Sequence, residues 1–104
     1  MSKTSFTASA VNLARMARCR EIARNMGFYS PDGQDAPMVH SSDLLVLAVT
    51  DPEGSWRLSI RERRPMTVGK GTYLIETGFV TFDNLSEAQF RAFLIAALTS
   101  IGIW

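Results

Sequence analysis

Apolar residues recur at helical spacing near both ends of the chain and alternate with polar ones in the middle. Helical spacing runs through residues 5–27 and 86–101, whereas residues 56–63 alternate strictly. A period near 3.6 indicates an amphipathic helix, and a period of two indicates a strand with one buried face. The pattern therefore predicts an α+β fold, with a helix at each end and strands between them.

The first predicted helix covers residues 5–27. Ser5 or Thr7 can cap its beginning, and Gly27 can end it. Two apolar stripes run along this helix and are offset around its axis, so that it should contact two surfaces. One stripe comprises Phe6, Ala10, Leu13 and Ala17, and the other Met16, Cys19, Ala23 and Met26.

Residues 28–42 are predicted to be a long loop. They contain Ser30-Pro31-Asp32-Gly33 and Pro37, residues that favour turns and interrupt regular structure. A loop of this length in a small domain is often functional.

The strands are expected between residues 43 and 83. The run Leu44–Val49 and the alternating run Trp56–Arg63 flank the turn residues Asp51-Pro52-Glu53-Gly54, which predicts a β-hairpin. A loop of two or four residues would place Leu58 opposite Leu47, Ile60 opposite Leu45 and Trp56 opposite Val49. Arg57 would then share a face with Ala48, and Arg61 with Leu44.

Residues 72–82 predict one further strand, or two short strands hinged at Thr77-Gly78. The sheet is thus expected to be antiparallel, with three strands or four, in the order α-β-β-β-α. Pro65 should end the second strand, since proline cannot donate to the ladder.

The C-terminal helix, residues 86–101, has the clearest signals. Ser86 and Gln89 form a capping-box pattern, and Gly102 stands where a left-handed C-cap is favoured. The predicted buried face comprises Phe90, Phe93, Leu94, Ala97, Leu98 and Ile101.

The opposite side of this helix carries alanines at Ala88, Ala92 and Ala96. Ordinary surface helices carry charged residues there. The first helix offers Ala10, Ala14 and Ala17, so we expect the two helices to pack through these alanines on one face of the sheet. The alternative is that the alanine side is a dimer interface.

Length and composition place the chain in a broad class. The 104 residues are enough for one domain, residues 1–104, and the 46% hydrophobic content can fill its core. A single cysteine excludes an internal disulfide bond. The sequence shows no signal-peptide pattern and no apolar run of membrane-spanning length, so a cytoplasmic protein without a membrane partner is expected.

Charge is segregated along the chain although the net charge is only +1. Residues 31–53 hold only acidic charges, and residues 54–72 are mostly basic. The candidate binding residues, for a protein partner or for phosphate, are Arg57, Arg61, Arg63, Arg64 and Lys70. The candidate oligomer face comprises Leu44, Val46, Ala48, Ala92 and Ile95.

Residues with catalytic or metal-binding chemistry form no recognisable pattern. His40, the single histidine, is near Asp32, Asp35 and Asp43, but their spacing matches no calcium or zinc motif. Cys19 lies on an apolar helical stripe, which favours a buried thiol over a nucleophile. We therefore expect no metal, no cofactor and no enzymatic activity.

The remaining function classes depend on surfaces. The first hypothesis is a small protein-interaction module, an adaptor or inhibitor that occupies a partner's surface. An inhibitor carried by a phage or mobile element, such as an anti-CRISPR, would be of this type by analogy of size and of missing motifs. The alternative is nucleic-acid binding by the basic hairpin face. A homodimer is a third way to use an apolar surface.

Overall fold

The computed structural model describes residues 10–32, 37–50, 57–81 and 85–104. Its helices are α1 (Ala10–Asn25) and α2 (Glu87–Ser100). Its strands are β1 (Phe28–Tyr29), β2 (Met38–His40), β3 (Leu45–Thr50), β4 (Arg57–Pro65) and β5 (Thr72–Thr81).

The strands of the described residues form one antiparallel sheet in chain order, β1-β2-β3-β4-β5. Both helices contribute to a single core on one side of this sheet, which we call the inner face. The predicted α+β fold with terminal helices on one sheet face is confirmed. The sheet has five strands instead of three or four.

The two additional strands lie in the segment predicted to be a loop. Phe28 and Tyr29 pair with His40 and Val39, and β2 in turn pairs with β3. The loop prediction is wrong for these residues because strands of two and three residues are too short to show a period. Gly33, the last residue of the predicted turn, and residues 34–36 are outside the described part of the chain.

The β3–β4 register differs from the prediction by two residues. Leu47 faces Ile60, and Val49 faces Leu58. The prediction assumed a loop of at most four residues, whereas β3 ends at Thr50 and β4 begins only at Arg57. A shift of two leaves every side chain on its predicted face, since strand side chains alternate with period two. Trp56 and the turn residues 51–54 are outside the described residues.

The third predicted strand is present as β5, with an irregularity at the predicted hinge. Ile60 pairs with Gly78 and Arg61 with Glu76, so Thr77 is an extra residue in β5. Such a bulge bends the strand without ending it. Pro65 ends β4, as predicted.

Helix α1 ends as the sequence predicts, and its described side chains bury one of the two stripes. Phe6 and the side chain of Ala10, which belong to the other stripe, are outside the described part of the chain. Gly27 has φ +100°, a conformation that favours glycine. The buried residues are Cys19, Ile22 and Ala23, with Met16 and Met26 packed against them. On the other stripe Leu13 and Ala17 are exposed. The proposed caps Ser5 and Thr7 are outside the described residues.

Helix α2 has the predicted caps. Ser86 Oγ accepts a hydrogen bond from the Gln89 backbone at 3.0 Å, and the Gln89 side chain accepts one from the Ser86 backbone at 2.9 Å. At the other end, the N–H groups of Gly102 and Ile103 donate to Thr99 and Leu98, which is a Schellman motif.

The buried face of α2 is confirmed, but the alanine packing is wrong. Phe90, Leu94, Ala97 and Leu98 are buried, with Phe93 and Ile101 partly buried against the core. The alanines expected between the helices are exposed, namely Ala14, Ala17, Ala88, Ala92 and Ala96. Both helices direct larger side chains into the common core instead, because burying them against the sheet removes more apolar area from water.

Among the described residues, no helix has both the length and the apolar character that crossing a membrane requires.

Candidate interaction surface

The side of the sheet that faces away from the helices, which we call the outer face, carries most of the predicted site. Cross-strand partners in the register share a face, and Arg57, Arg61 and Arg63 belong to one set of partners. This set includes Tyr29, Val39, Leu44, Val46, Ala48, Arg57, Ser59, Arg61, Arg63, Thr72, Leu74, Glu76 and Phe79.

Arg57 is held on this face by an aromatic ring and a carboxylate. Its guanidinium carbon lies 4.2 Å from the centroid of the Phe79 ring, and its Nη2 lies 3.7 Å from Glu76 Oε2. Phe79 nevertheless remains 49% exposed. An arginine over an aromatic face is stabilised by the ring quadrupole, so this pair forms a pre-positioned polar and apolar contact.

Arg63 is positioned by the turn between β2 and β3. Its Nε donates to the backbone carbonyl of Asp43 at 2.9 Å, and its Nη1 donates to Thr72 Oγ1 at 3.2 Å. Asp43 has φ +65°, and its backbone N–H bonds the carbonyl of His40 at 2.8 Å. This tight turn thus fixes the end of the arginine row.

The other two predicted basic residues lie elsewhere. Arg64 pairs with Tyr73 in the register, on the inner face, and its Nε lies 3.0 Å from Glu62 Oε1. Lys70 is exposed in the connection between β4 and β5. It lies beyond Pro65, the last residue of β4, and Pro65 is itself roughly 26 Å from Arg57 at the usual rise per residue.

The centre of the outer face is buried. Val46 and Ala48 each expose 8% of their surface, and Ser59 exposes none. Val46 lies beside Arg61 in the register, and Ala48 beside Ser59. The accessible apolar groups are at the margins of this face: Tyr29, Leu44, Leu74 and Phe79.

The structure does not bring the predicted oligomer-face residues together. Leu44, Val46 and Ala48 belong to the outer face, of which only Leu44 is exposed. Ala92 and Ile95 lie on α2, on the opposite side of the sheet. One partner surface therefore cannot cover all of them.

β5 contributes to this surface in a way that sequence patterns alone do not show. Leu74, Glu76 and Phe79 join the outer face only through the β4–β5 register, which the bulge at Thr77 interrupts. Strict alternation from Thr72 onward would have placed Phe79 on the inner face. The clue in the sequence was Gly78, which marks an irregular strand position.

A groove of about 440 Å³ lies between the middle of α1 and the beginning of α2, lined by Ala14, Arg15, Arg18, Cys19, Ile22, Leu85, Ser86 and Glu87. Arg18 spans it, donating to Glu87 at 2.8 and 3.0 Å and to Glu21. The hydrogen bonds from Arg18 lower the pKa of Glu87, and those to Glu87 and Glu21 raise the pKa of Arg18 above its usual range.

Cys19 lies at this groove but is 6% exposed. Desolvation by burial raises the pKa of its thiol to about 11. A thiol with this pKa is protonated at neutral pH and is a poor nucleophile.

His40 is also buried, at 5% exposure. Its Nδ1 lies 2.7 Å from Ser42 Oγ and accepts a hydrogen bond from the Ser42 backbone at 3.1 Å. Its ring contacts Phe28 edge-on at 5.0 Å. Within the described ranges, no three His, Cys, Asp or Glu side chains cluster as a metal would require. Of the three acidic residues predicted near His40, Asp35 is outside the described residues.

Comparison with models of known protein families, with curated proteins and with solved structures finds no match to this chain. A function for this chain is therefore inferred from the geometry of the outer face.

Proposed function

We propose that the protein is a small, non-enzymatic protein-interaction module, an adaptor or inhibitor that occupies a partner through the outer face of its sheet. The observation that carries the proposal is the pairing of Arg57 with the half-exposed ring of Phe79. Arginine and aromatic residues are enriched at the energetic centres of protein interfaces.

The charges of this face favour an interface with a protein over one with nucleic acid. Arg57 and Arg63 each lie within 4.0 Å of a carboxylate oxygen. Nucleic-acid binding depends on cations that neutralise phosphates, and these carboxylates would have to be displaced or tolerated. A protein surface can satisfy such mixed charges with complementary ones.

The test compares capture of partners from an extract of the native host by three forms of the chain. The outer-face variant is Arg61→Glu/Phe79→Ala. Arg61 is half-buried, and Phe79 is 49% exposed. The control Arg91→Glu/Leu13→Ala makes matched changes on the helical side, where Leu13 is 56% exposed. Circular dichroism must show that all three are folded.

We expect a protein that is retained by the wild type and by the control but lost from the outer-face variant. Capture that is unchanged in the outer-face variant would contradict the proposal. Captured nucleic acid whose retention falls steeply with salt would support the alternative function.

The inhibitor subclass, which includes phage and mobile-element proteins such as anti-CRISPRs, makes a narrower prediction. The captured protein should be an enzyme of nucleic-acid processing, and adding the wild-type chain should lower its activity. The outer-face variant should not lower it.

A further inference from the structure

The outer edge of β5 is the longest unpaired strand edge of the described fold. β5 runs for ten residues, Thr72–Thr81. It pairs with β4 on one side, and no described strand pairs with the other side. At the opposite end of the sheet, β1 has only two residues. A long unpaired edge is a template for another strand.

The hydrogen-bonding phase of β5 follows from the turn that precedes it. The Met66 N–H donates to the Gly71 carbonyl at 3.1 Å, so this pair is hydrogen-bonded. Bonded and non-bonded pairs alternate along an antiparallel ladder. Tyr73 and Ile75, two and four residues beyond Gly71, therefore direct their backbone groups toward β4.

The other side of β4 indicates the same phase independently. The Arg63 N–H donates to the Leu44 carbonyl at 2.8 Å, so Arg63 bonds β3. The next residue, Arg64, then directs its backbone groups toward β5, where its register partner is Tyr73. It follows that Thr72, Leu74 and Glu76 present their N–H and C=O groups at the free edge.

The side chains around this edge are unusually apolar. Tyr73 is 42% exposed, Leu74 40% and Ile75 38%. Natural proteins protect such edges with charged side chains, especially lysine, with proline or with a bulge. Residues 72–76 contain no lysine or proline, and their one charged side chain is Glu76. The bulge at Thr77 lies beyond them, so these five residues form a regular strand.

We propose that this edge pairs with the same edge of a second copy of the chain, antiparallel, across a two-fold axis through Leu74. Leu74 then lies opposite Leu74 of the second copy, and Thr72 lies opposite Glu76 in both directions. Tyr73 lies opposite Ile75, an aromatic and β-branched pair that stabilises antiparallel strands.

This register pairs every residue from Thr72 to Glu76, which is the regular part of the strand before the bulge at Thr77. Because Leu74 is midway between Thr72 and Glu76, each residue whose backbone groups face the free edge lies opposite another such residue. A register centred on Glu76 would place two carboxylates directly opposite each other, which is destabilising.

Charge complementarity supports a second copy as the occupant. Thr72 Oγ1 accepts a hydrogen bond from Arg63 Nη1 at 3.2 Å. Each Glu76 would therefore face a threonine that the guanidinium of the other copy already contacts. The two-fold axis makes this favourable contact twice.

The geometry also limits the assembly to two copies. Once the two β5 edges are paired, neither is free to bind a third copy. The two-residue β1 then forms each end of the joined sheet. An isologous contact of this kind closes and does not propagate into a filament.

The test is the molar mass in solution, measured by light scattering or sedimentation over a range of protein concentrations. Leu74→Lys places two lysines opposite each other on the axis. Leu74→Pro removes an outward-facing N–H without removing a bond to β4. Val68→Lys, at a residue that is 82% exposed in the preceding connection, is the matched control for added charge.

We expect the wild type and Val68→Lys to reach twice the mass of one chain, and both Leu74 variants to remain folded monomers. A wild type that stays monomeric at every concentration would overturn the proposal, as would a dimer that persists in both Leu74 variants. Assemblies larger than two copies would contradict the closed geometry.

Amide hydrogen exchange locates the contact residue by residue. Exchange at Thr72, Leu74 and Glu76 should slow as protein concentration rises, while exchange at Tyr73 and Ile75 should be slow throughout. If the purified chain stays monomeric and exchange at Leu74 slows only after host extract is added, the dimer proposal is overturned. A foreign strand would then occupy the edge. The dimer and the proposed function can fail separately, because the molar mass is measured on the purified chain whereas the capture experiment detects a foreign protein.

Discussion

Ser59 is the one described residue whose buried polar side-chain atom has no hydrogen-bond partner among the described residues. Alternation along β4 placed it correctly on the outer face, beside Ala48 and Phe79. That it would be completely buried there could not be predicted, because an outer sheet face in a small domain is ordinarily exposed to solvent. An unsatisfied buried hydroxyl destabilises a fold by roughly 1–3 kcal/mol.

The substitution Ser59→Ala should therefore leave the free energy of unfolding unchanged or raise it by about 1 kcal/mol, since it removes a polar group that is hydrated only in the unfolded chain. The measurement is the urea midpoint at constant m-value. A fall in stability as large as that expected for Ser86→Ala below would show that the hydroxyl has a partner.

Helix α2 is the element in which sequence signals and structure agree best. Its capping box and Schellman motif involve residues that are near one another in the chain, so short-range patterns can specify them. β1 and β2 are the opposite case. They are stabilised by pairing with distant residues, and their own length is too short to show a period.

Removing the cap, in Ser86→Ala, should lower the free energy of unfolding by about 1 kcal/mol, because the Gln89 N–H loses its acceptor. Ser59→Ala is the matched control, since it makes the same chemical change at a hydroxyl without a described partner. Equal effects in the two variants would contradict the role given to the cap.

At the scale of the whole molecule, both helices bury their larger side chains against the sheet. Ala14 and Ala17 of α1, and Ala88, Ala92 and Ala96 of α2, remain exposed. Arg18 of α1 donates two hydrogen bonds to Glu87 of α2. Exposed ion pairs of this kind contribute little to stability. The apolar core therefore holds the layers together.

A pair of glutamate substitutions on α2 tests this arrangement. Leu94 is completely buried, so Leu94→Glu would bury an unpaired carboxylate and should abolish the cooperative unfolding transition. Ala92→Glu, on the exposed side, should change stability by no more than about 0.5 kcal/mol. Thermal denaturation followed by circular dichroism distinguishes the two outcomes.

Unfolding of Ala92→Glu, or a folded Leu94→Glu with normal cooperativity, would contradict the assignment of the two sides of α2. Dissociation of a wild-type dimer by Ala92→Glu would instead place the dimer interface on the helix, where Ala92 and Ile95 remain candidate oligomer residues.

The outer face could be predicted only in part. The row of Arg57, Arg61 and Arg63 follows from alternation within one strand, and a register error of two residues did not disturb it. The contribution of Phe79 depends on the bulge in β5, and the carboxylate neighbours depend on pairing between strands. These contacts join residues far apart in the chain, which no local pattern specifies.

The sequence by itself determined the fold class, the limits of α2, the end of α1 and the faces of β4, because periodicity and capping act between residues a few positions apart. Only the tertiary structure decided the order and number of the strands, the side on which the alanines lie, and the free edge of β5. These features depend on which distant segments pair and on which surfaces remain after pairing, and that competition is settled by burial across the whole chain.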